Sequence, residues 1–238
     1  MGRLLKSSVV KDESQTMSVK ALTEEIQARV QALPELKADT LRALRREFSK
    51  RLQNASADLV SKLALSLLKL PAFEFRFLAY ELVQHHRGAL ASLKAKTLEE
   101  LGDGIDSWVA VDCFACYLAG PAWRQGQIAD HVIHGWAASK DRWWRRAALV
   151  ATVPLNNKTR GGSGDVRRTL EVCRLLVNDR DDMVEKALSW ALRELAKRDP
   201  AAVTQFLQEP EQHIAPRVRR EVGNKLATGL KNPKPPRK

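Results

Sequence analysis

The stretch SVKALTEEIQARVQALP at residues 18–34 shows the pattern that the rest of the chain repeats. Its apolar residues recur every three or four positions, which places them on one face of a helix. They are Leu22, Ile26, Val30 and Leu33. Ser18 or Thr23 can cap this helix at its start, and Pro34 ends it. The pattern therefore predicts an amphipathic helix with one buried side.

The same spacing continues along the chain, and no segment favours a strand. We predict further helices near residues 41–52, 59–70, 73–88, 105–119, 122–138, 141–153, 166–178, 181–198, 200–208 and 215–230. Many short helices joined by short loops indicate an all-α fold, an α-solenoid of stacked antiparallel HEAT-like helix pairs. No clean sequence period is present, so periodicity alone leaves a globular helical bundle open.

The ends of the chain lack this pattern. Residues 1–17 have no sustained periodicity and include a second methionine, Met17, so we expect an N-terminal tail outside the fold. The helical repeat domain is expected to occupy residues 18–230. Three prolines and four cations in the final KNPKPPRK indicate a disordered basic tail at residues 231–238.

One internal segment also departs from the helical pattern. Residues 154–165, PLNNKTRGGSGD, are rich in glycine, asparagine and proline, which exclude regular structure. Lys158 and Arg160 keep the segment cationic. We expect a flexible basic loop inserted into the repeat domain.

Charge favours a polyanionic partner but does not by itself settle the class of partner. The chain carries 40 Lys and Arg against 28 Asp and Glu, a formal net charge of +12. Such a surface favours polyanions, with nucleic acid first, although ribosomal, heparin-binding and membrane-surface proteins share this balance. No apolar run is long enough to span a bilayer, so no membrane partner is expected.

Cysteine usage predicts a reducing compartment and no metal. Three cysteines are an odd count in a chain without an apolar signal segment, so we expect a cytoplasmic protein without a disulfide framework. Cys113 and Cys116 lack a second ligand pair, which argues against a zinc site. No cofactor motif is present.

Asp112 is the most informative residue, because it lies in an otherwise apolar helix, four residues after Trp108. The two side chains share one helical face. A buried carboxylate is costly unless it is paired. Asp112 is therefore either tied to an arginine of a neighbouring helix or used for chemistry.

Two further segments carry candidate functional residues. Arg145 and Arg146 are adjacent, so they point about 100° apart on a helix, and we expect at least one to face a partner. Trp190 lies in the middle of a helix, with Arg193 one turn onward. Trp190 is either a core residue or part of a site.

Taken together, these motifs match the pattern of a known family. The combination of Trp108-x-x-x-Asp112, Trp144-Arg-Arg146-Ala-Ala and Ala187-x-x-Trp190-x-Leu-Arg-Glu resembles the bacterial DNA alkylation repair glycosylases of the HEAT-like repeat superfamily. The resemblance extends from about residue 36 to residue 230. Val109 and Ala110 depart from the family pattern.

The resemblance implies a curved solenoid whose basic concave face binds duplex DNA. It implies that Trp108, Asp112 and Trp190 hold the lesion without flipping the base, and that Arg146 contacts a phosphate. The expected DNA-binding residues are Arg146, Arg145, Arg193, Lys158, Arg160, Arg219 and Arg220.

The expected activity follows from the lesion. A purine alkylated at N3 or N7 is already cationic and leaves without protonation, so a carboxylate needs only to stabilise the positive sugar and to orient water. We expect a monofunctional DNA-alkylpurine glycosylase, a hydrolase without cofactor, acting as a monomer at the nucleoid. The alternative is a non-catalytic HEAT-repeat module that binds DNA structures or proteins. The preferred lesion stays open.

Overall fold

The computed structural model describes residues 18–209 and 213–234. Every regular element in these residues is helical. The α-helices are α1 (Val19–Gln31), α2 (Ala38–Arg51), α3 (Ala57–Leu67), α4 (Phe73–Gln84), α5 (Arg87–Ala91), α6 (Ala95–Gly102), α7 (Trp108–Phe114), α8 (Gly120–Arg124), α9 (Asp130–Ala137), α10 (Arg142–Val150), α11 (Val153–Asn156), α12 (Val166–Leu176), α13 (Asp182–Leu195), α14 (Pro200–Gln208) and α15 (Pro216–Thr228).

The helices stack side by side along the chain. One continuous row, which we call the central row, consists of α2, α4, α7, α10, α13 and α15, each packed against the next. Outside this row, α1 packs on α3, and α9 packs on both α10 and α12. The arrangement confirms the predicted all-α solenoid, and the central row carries the main candidate site residues.

Helix starts follow from local side chains. Ser18, Ser56, Asp141 and Asp181 lie just before α1, α3, α10 and α13, and each accepts a hydrogen bond from a backbone N–H of the first turn. Such caps satisfy amide groups that the helix itself leaves without a partner. A single continuous cluster of buried apolar side chains then joins the helices.

An aromatic cluster fixes the helices around the candidate site. Phe114 of α7 lies 5.8 Å from Tyr80, 5.8 Å from Trp136 and 5.9 Å from Trp144, measured between ring centroids. The Trp136 and Trp144 rings are 5.0 Å apart. Rings at such distances gain about 0.5–1.5 kcal/mol per pair beyond their burial. The cluster therefore helps to set how α7 packs on α4, α9 and α10.

The predicted break between the helices at 105–119 and 122–138, which falls at Gly120 and Pro121, is wrong. The chain stays helical from α7 through a π-helix (Ala115–Ala119) and α8, and the helical run ends only at Arg124. Gly120 is needed for packing, because a Cβ there would lie 2.6 Å from the carbonyl oxygen of Ala151. The helix predicted over residues 122–138 is instead interrupted after α8, where Gly126 has φ +73°.

The segment at residues 154–165 is also different from the prediction. It contains the end of α11 and a 3₁₀-helix (Lys158–Arg160), so regular structure is present. Leu155 and Asn156 are buried, and the Arg124 guanidinium donates to the carbonyl oxygens of Pro154 and Arg160. Hydrogen bonds from outside the segment thus hold it against the core. The sequence pattern also did not predict α5 and α6 as separate helices.

The predicted tails fall largely outside the described residues. This holds for residues 1–17 and for 235–238, whereas residues 231–234 are described and contain no helix. No described helix combines the length and the apolar character that crossing a bilayer requires.

Gly120→Ala tests the close approach of α8 to the end of α10. We expect the free energy of unfolding to fall by about 1–3 kcal/mol, because backbone atoms of Ala151 must move. Urea denaturation followed by circular dichroism measures the change.

Gly135→Ala is the matched control. Gly135 lies inside α9, and an added Cβ there meets nothing within 4 Å. Alanine should raise stability by up to about 1 kcal/mol, because it is the better helix former. Equal effects at the two positions would contradict the packing role of Gly120.

Candidate functional site

Trp108 and Asp112 lie one turn apart on α7. Ser107 precedes the helix, and Trp108 is its first residue. The Trp108 side chain is 53% exposed, and it is the only tryptophan among the exposed large hydrophobic residues of the described chain. An indole at this position is available to a partner.

Asp112 is held by Arg146 of α10. The Arg146 Nε and Nη2 atoms donate to the two carboxylate oxygens of Asp112, at 3.0 and 2.9 Å. The third nitrogen, Nη1, donates to the carbonyl oxygen of Met183 on α13 at 2.6 Å. One guanidinium therefore joins three neighbouring helices of the central row. Planar two-point contacts of this kind are the strong form of the ion pair.

Burial decides the electrostatics of this pair. The Asp112 side chain is 18% exposed and that of Arg146 is 6% exposed. Burial raises the pKa of Asp112, and the hydrogen bonds and charge of Arg146 oppose that rise without cancelling it. The Asp112 carboxylate therefore depends on Arg146 for part of the stability of its charged form.

A cavity of about 350 Å³ lies beside the pair, lined by Trp108, Arg146, Met183 and Lys186. Lys186 was not among the predicted site residues. Its side chain is 43% exposed and pairs with Asp182 at 2.6 Å. The signal that could have identified it is its position one turn before Trp190 on the same helix face.

Trp190 is half-buried on α13 and packs against the apolar core. Met183, Lys186 and Trp190 are spaced by three and four residues, so they lie on one side of α13. Trp190 itself does not line the cavity. The structure thus brings Trp108, Asp112 and Arg146 together. Trp190 lies one turn beyond Lys186 on α13.

Both arginines of the adjacent pair have internal partners. Arg145 Nε donates to Asp179 at 2.6 Å, and its Nη1 donates to the carbonyl oxygens of Ser139 and Lys140. Arg146 is only 5% exposed. Acceptors within the protein thus lie on both sides of α10, and the expectation that one of the two arginines faces a partner stays a prediction.

The other predicted DNA-binding cations are not held by carboxylates of the described residues. None of them forms a salt bridge with a described residue; they are Lys158, Arg160, Arg193, Arg219 and Arg220. Lys158, Arg219 and Arg220 are exposed. Arg160 lies over the Tyr117 ring at 5.4 Å, and Arg193 is half-buried with Nε donating to Ser189. Burial lowers the pKa of Arg193.

The cysteines form no reactive or metal site in the described chain. Cys113, Cys116 and Cys173 are free thiols, and burial raises the pKa of Cys113 to about 11 and of Cys116 to about 12. Among the described residues, no three His, Cys, Asp or Glu side chains are grouped so that they could hold a metal ion.

Comparison with known families decides the class of protein. A family model described as "DNA alkylation repair enzyme" matches residues 26–226. The chain belongs to this family. A search of curated proteins found no match.

Family membership confirms the resemblance seen in the sequence. It indicates an enzyme with a role in the repair of alkylated DNA, and it points to DNA as the partner. The matched region contains Trp108, Asp112, Arg146 and Trp190. The buried ion pair and the cavity beside it therefore lie within the part of the chain that defines a DNA alkylation repair enzyme.

Arg146→Met tests the structural weight of the ion pair. The free energy of unfolding should fall by about 3 kcal/mol, because Asp112 is left charged and poorly solvated. The double variant with Asp112→Asn should recover much of this loss. Urea denaturation of the wild type, both single variants and the double variant measures the coupling.

Arg29→Met is the control for an ion pair of the same geometry in water. Arg29 also binds Glu47 through two hydrogen bonds, at 2.8 and 2.7 Å, but both side chains are nearly half-exposed. Its loss should be much smaller, because water replaces the partner. Similar losses at both arginines would show that burial does not strengthen the Asp112 pair.

Proposed function

We propose that this DNA alkylation repair enzyme is a monofunctional glycosylase. It hydrolyses the N-glycosidic bond of N3- or N7-alkylated purines in duplex DNA without flipping the base. One observation carries the proposal: an exposed indole, Trp108, lies one turn from a carboxylate that a buried arginine orients beside an open cavity. Such a constellation fits a positive charge presented by a ligand.

The chemistry requires little from the protein. An alkylated purine carries a positive charge, so it departs as a neutral base without a general acid. Positive charge then builds on the deoxyribose, where the Asp112 carboxylate stabilises it and orients the attacking water. The faces of Trp108 and Trp190 add cation–π attraction for the sugar and the lesion.

Arg146 acts as a positioning residue in this scheme. It fixes the orientation of both Asp112 oxygens through two hydrogen bonds. Each oxygen keeps a further lone pair, which can accept a hydrogen bond from the attacking water. Arg146 also works against the rise in the Asp112 pKa, which favours the ionised form that the reaction needs.

The alternative is a non-catalytic module that binds DNA structures or proteins. The specific observation in its favour is the ion pair itself, because Arg146 satisfies the Asp112 carboxylate without any ligand. The two functions differ in base release, which only the glycosylase performs.

Asp112→Asn should lower the rate of base release from methylated duplex by about 10²–10³-fold, because the negative charge is lost where positive charge develops. Single-turnover release of methylated purine measures the rate. Asp106→Asn makes the same charge change on an exposed residue two positions before Trp108, and it should retain the wild-type rate. Full activity of Asp112→Asn would contradict the proposal.

The pH profile tests the role of Arg146. Activity should fall as the pH drops through the pKa of Asp112, which burial raises above the ordinary value for an aspartate. Arg146→Lys removes the two-point contact, so the Asp112 pKa rises further and the acid limb moves to higher pH. The measurement is single-turnover base release across the acid range. An unmoved acid limb would argue against Asp112 as the titrating group.

A further inference from the structure

Arg146 cannot turn towards a phosphate without losing its partners, although the resemblance assigns it a phosphate contact. All three of its side-chain nitrogens donate to protein acceptors, two to Asp112 and one to the Met183 carbonyl oxygen. Turning it towards DNA would leave a largely buried carboxylate without its partner, which is costly. Cations that can reach a phosphate without breaking a buried ion pair are therefore better placed to bind the DNA backbone beside this site.

Lys186 meets this requirement. It lines the cavity together with Trp108, and its side chain is 43% exposed. Its present partner, Asp182, is also bound by Arg217. If Lys186 moves to a phosphate, Asp182 keeps a cationic partner in Arg217, so the exchange leaves no unpaired carboxylate.

Arg193 lies on the same side of α13, and only one nitrogen of its guanidinium has a hydrogen-bond partner in the described chain. It lies seven residues after Lys186, which is nearly two helical turns. The side chain is half-buried, and its one hydrogen bond in the described chain runs from Nε to Ser189 Oγ at 3.2 Å. Its two terminal nitrogens therefore remain available. Burial lowers the pKa of Arg193, and the charges of Glu221 and Glu194 oppose this change only in part. A bound anion would offset more of the cost of burying the guanidinium.

Trp190 lies between these two cations. At a rise of about 1.5 Å per residue, Lys186 precedes it by about 6 Å along the helix axis and Arg193 follows it by about 4.5 Å. Both side chains are long and end in hydrogen-bond donors, so α13 carries in sequence a cation, an indole and a second cation. This order of cation, indole and cation suits a segment of a sugar–phosphate backbone.

We propose that Lys186 and Arg193 form a phosphate clamp on α13. The pair binds backbone phosphates on the two sides of a nucleotide whose deoxyribose lies at Trp190. For the lesion strand this rests on the proposed function, but phosphate binding itself applies equally to undamaged duplex. The clamp takes over the phosphate contact that the sequence resemblance assigned to Arg146.

The test is binding of undamaged duplex DNA, measured by fluorescence anisotropy over a range of salt concentrations. Lys186→Gln and Arg193→Gln should each weaken binding several-fold and reduce the slope of log K against log salt by about one. The double variant should reduce the slope by about two. Urea denaturation verifies that each variant is folded at the assay temperature.

Lys62→Gln is the matched control for Lys186. Lys62 lies on α3 and pairs with Asp58 four residues earlier at 2.7 Å, as Lys186 pairs with Asp182. Its removal should leave the salt slope unchanged. A slope for Lys186→Gln equal to that of Lys62→Gln would overturn the clamp.

Arg193→Lys tests the second half of the clamp with less disturbance to folding. It keeps the positive charge, so its salt slope should equal that of the wild type. A slope as low as that of Arg193→Gln would contradict a phosphate contact. Base release separates the two proposals. Reduced slopes in the variants without any base release by the wild type would retain the clamp and reject the glycosylase. Unchanged slopes together with base release by the wild type would reject the clamp and retain the glycosylase.

Discussion

The guanidinium of Arg146 joins three helices of the central row at the candidate site. Arg146 joins α7 through Asp112 and α13 through the Met183 carbonyl oxygen, while its own backbone belongs to α10. Taking both charges out of water is unfavourable, and only nearly complete hydrogen bonding offsets that cost. All three side-chain nitrogens are used, so the geometry of these helices is fixed where Trp108 reaches the surface.

The opposite sides of the same helices carry the aromatic cluster. Phe114 is two residues from Asp112, and Trp144 is two residues from Arg146, so in each case the side chains point about 200° apart. The contact between α7 and α10 therefore has an ionic side and an apolar side. The aromatic rings supply packing energy, and the ion pair specifies the alignment of the two helices beside the cavity.

Much of the fold could be predicted from sequence because apolar spacing and capping residues act locally. The start of α14 at Pro200 and the end of α3 before Pro71 both follow from such signals. Gly120 and Pro121 misled the prediction because glycine can serve a close helix contact instead of a chain turn. The order in residues 154–165 was also missed, since it arises from distant partners such as Arg124.

The candidate site was predictable in its residue types but not in its pairing. Sequence spacing placed Trp108 and Asp112 on one face and left open whether an arginine binds the carboxylate. Which arginine does so depends on how α10 is rotated against α7, and that rotation is set by packing between helices distant in sequence. Lys186 was missed because a surface lysine paired four residues away resembles many others, such as Lys62.

Because Arg146 is paired internally, the proposed site uses α10 to orient the carboxylate and α13 to bind phosphate. A carboxylate oriented by a buried arginine needs little reorganisation when positive charge develops nearby, and such preorganisation is where electrostatic catalysis gains most. An arginine that turned towards a phosphate would have to weaken its hold on Asp112 each time DNA bound. With α10 orienting the carboxylate, the exposed Lys186 of α13 can exchange Asp182 for a phosphate of DNA in the proposed clamp, because a surface ion pair is weak.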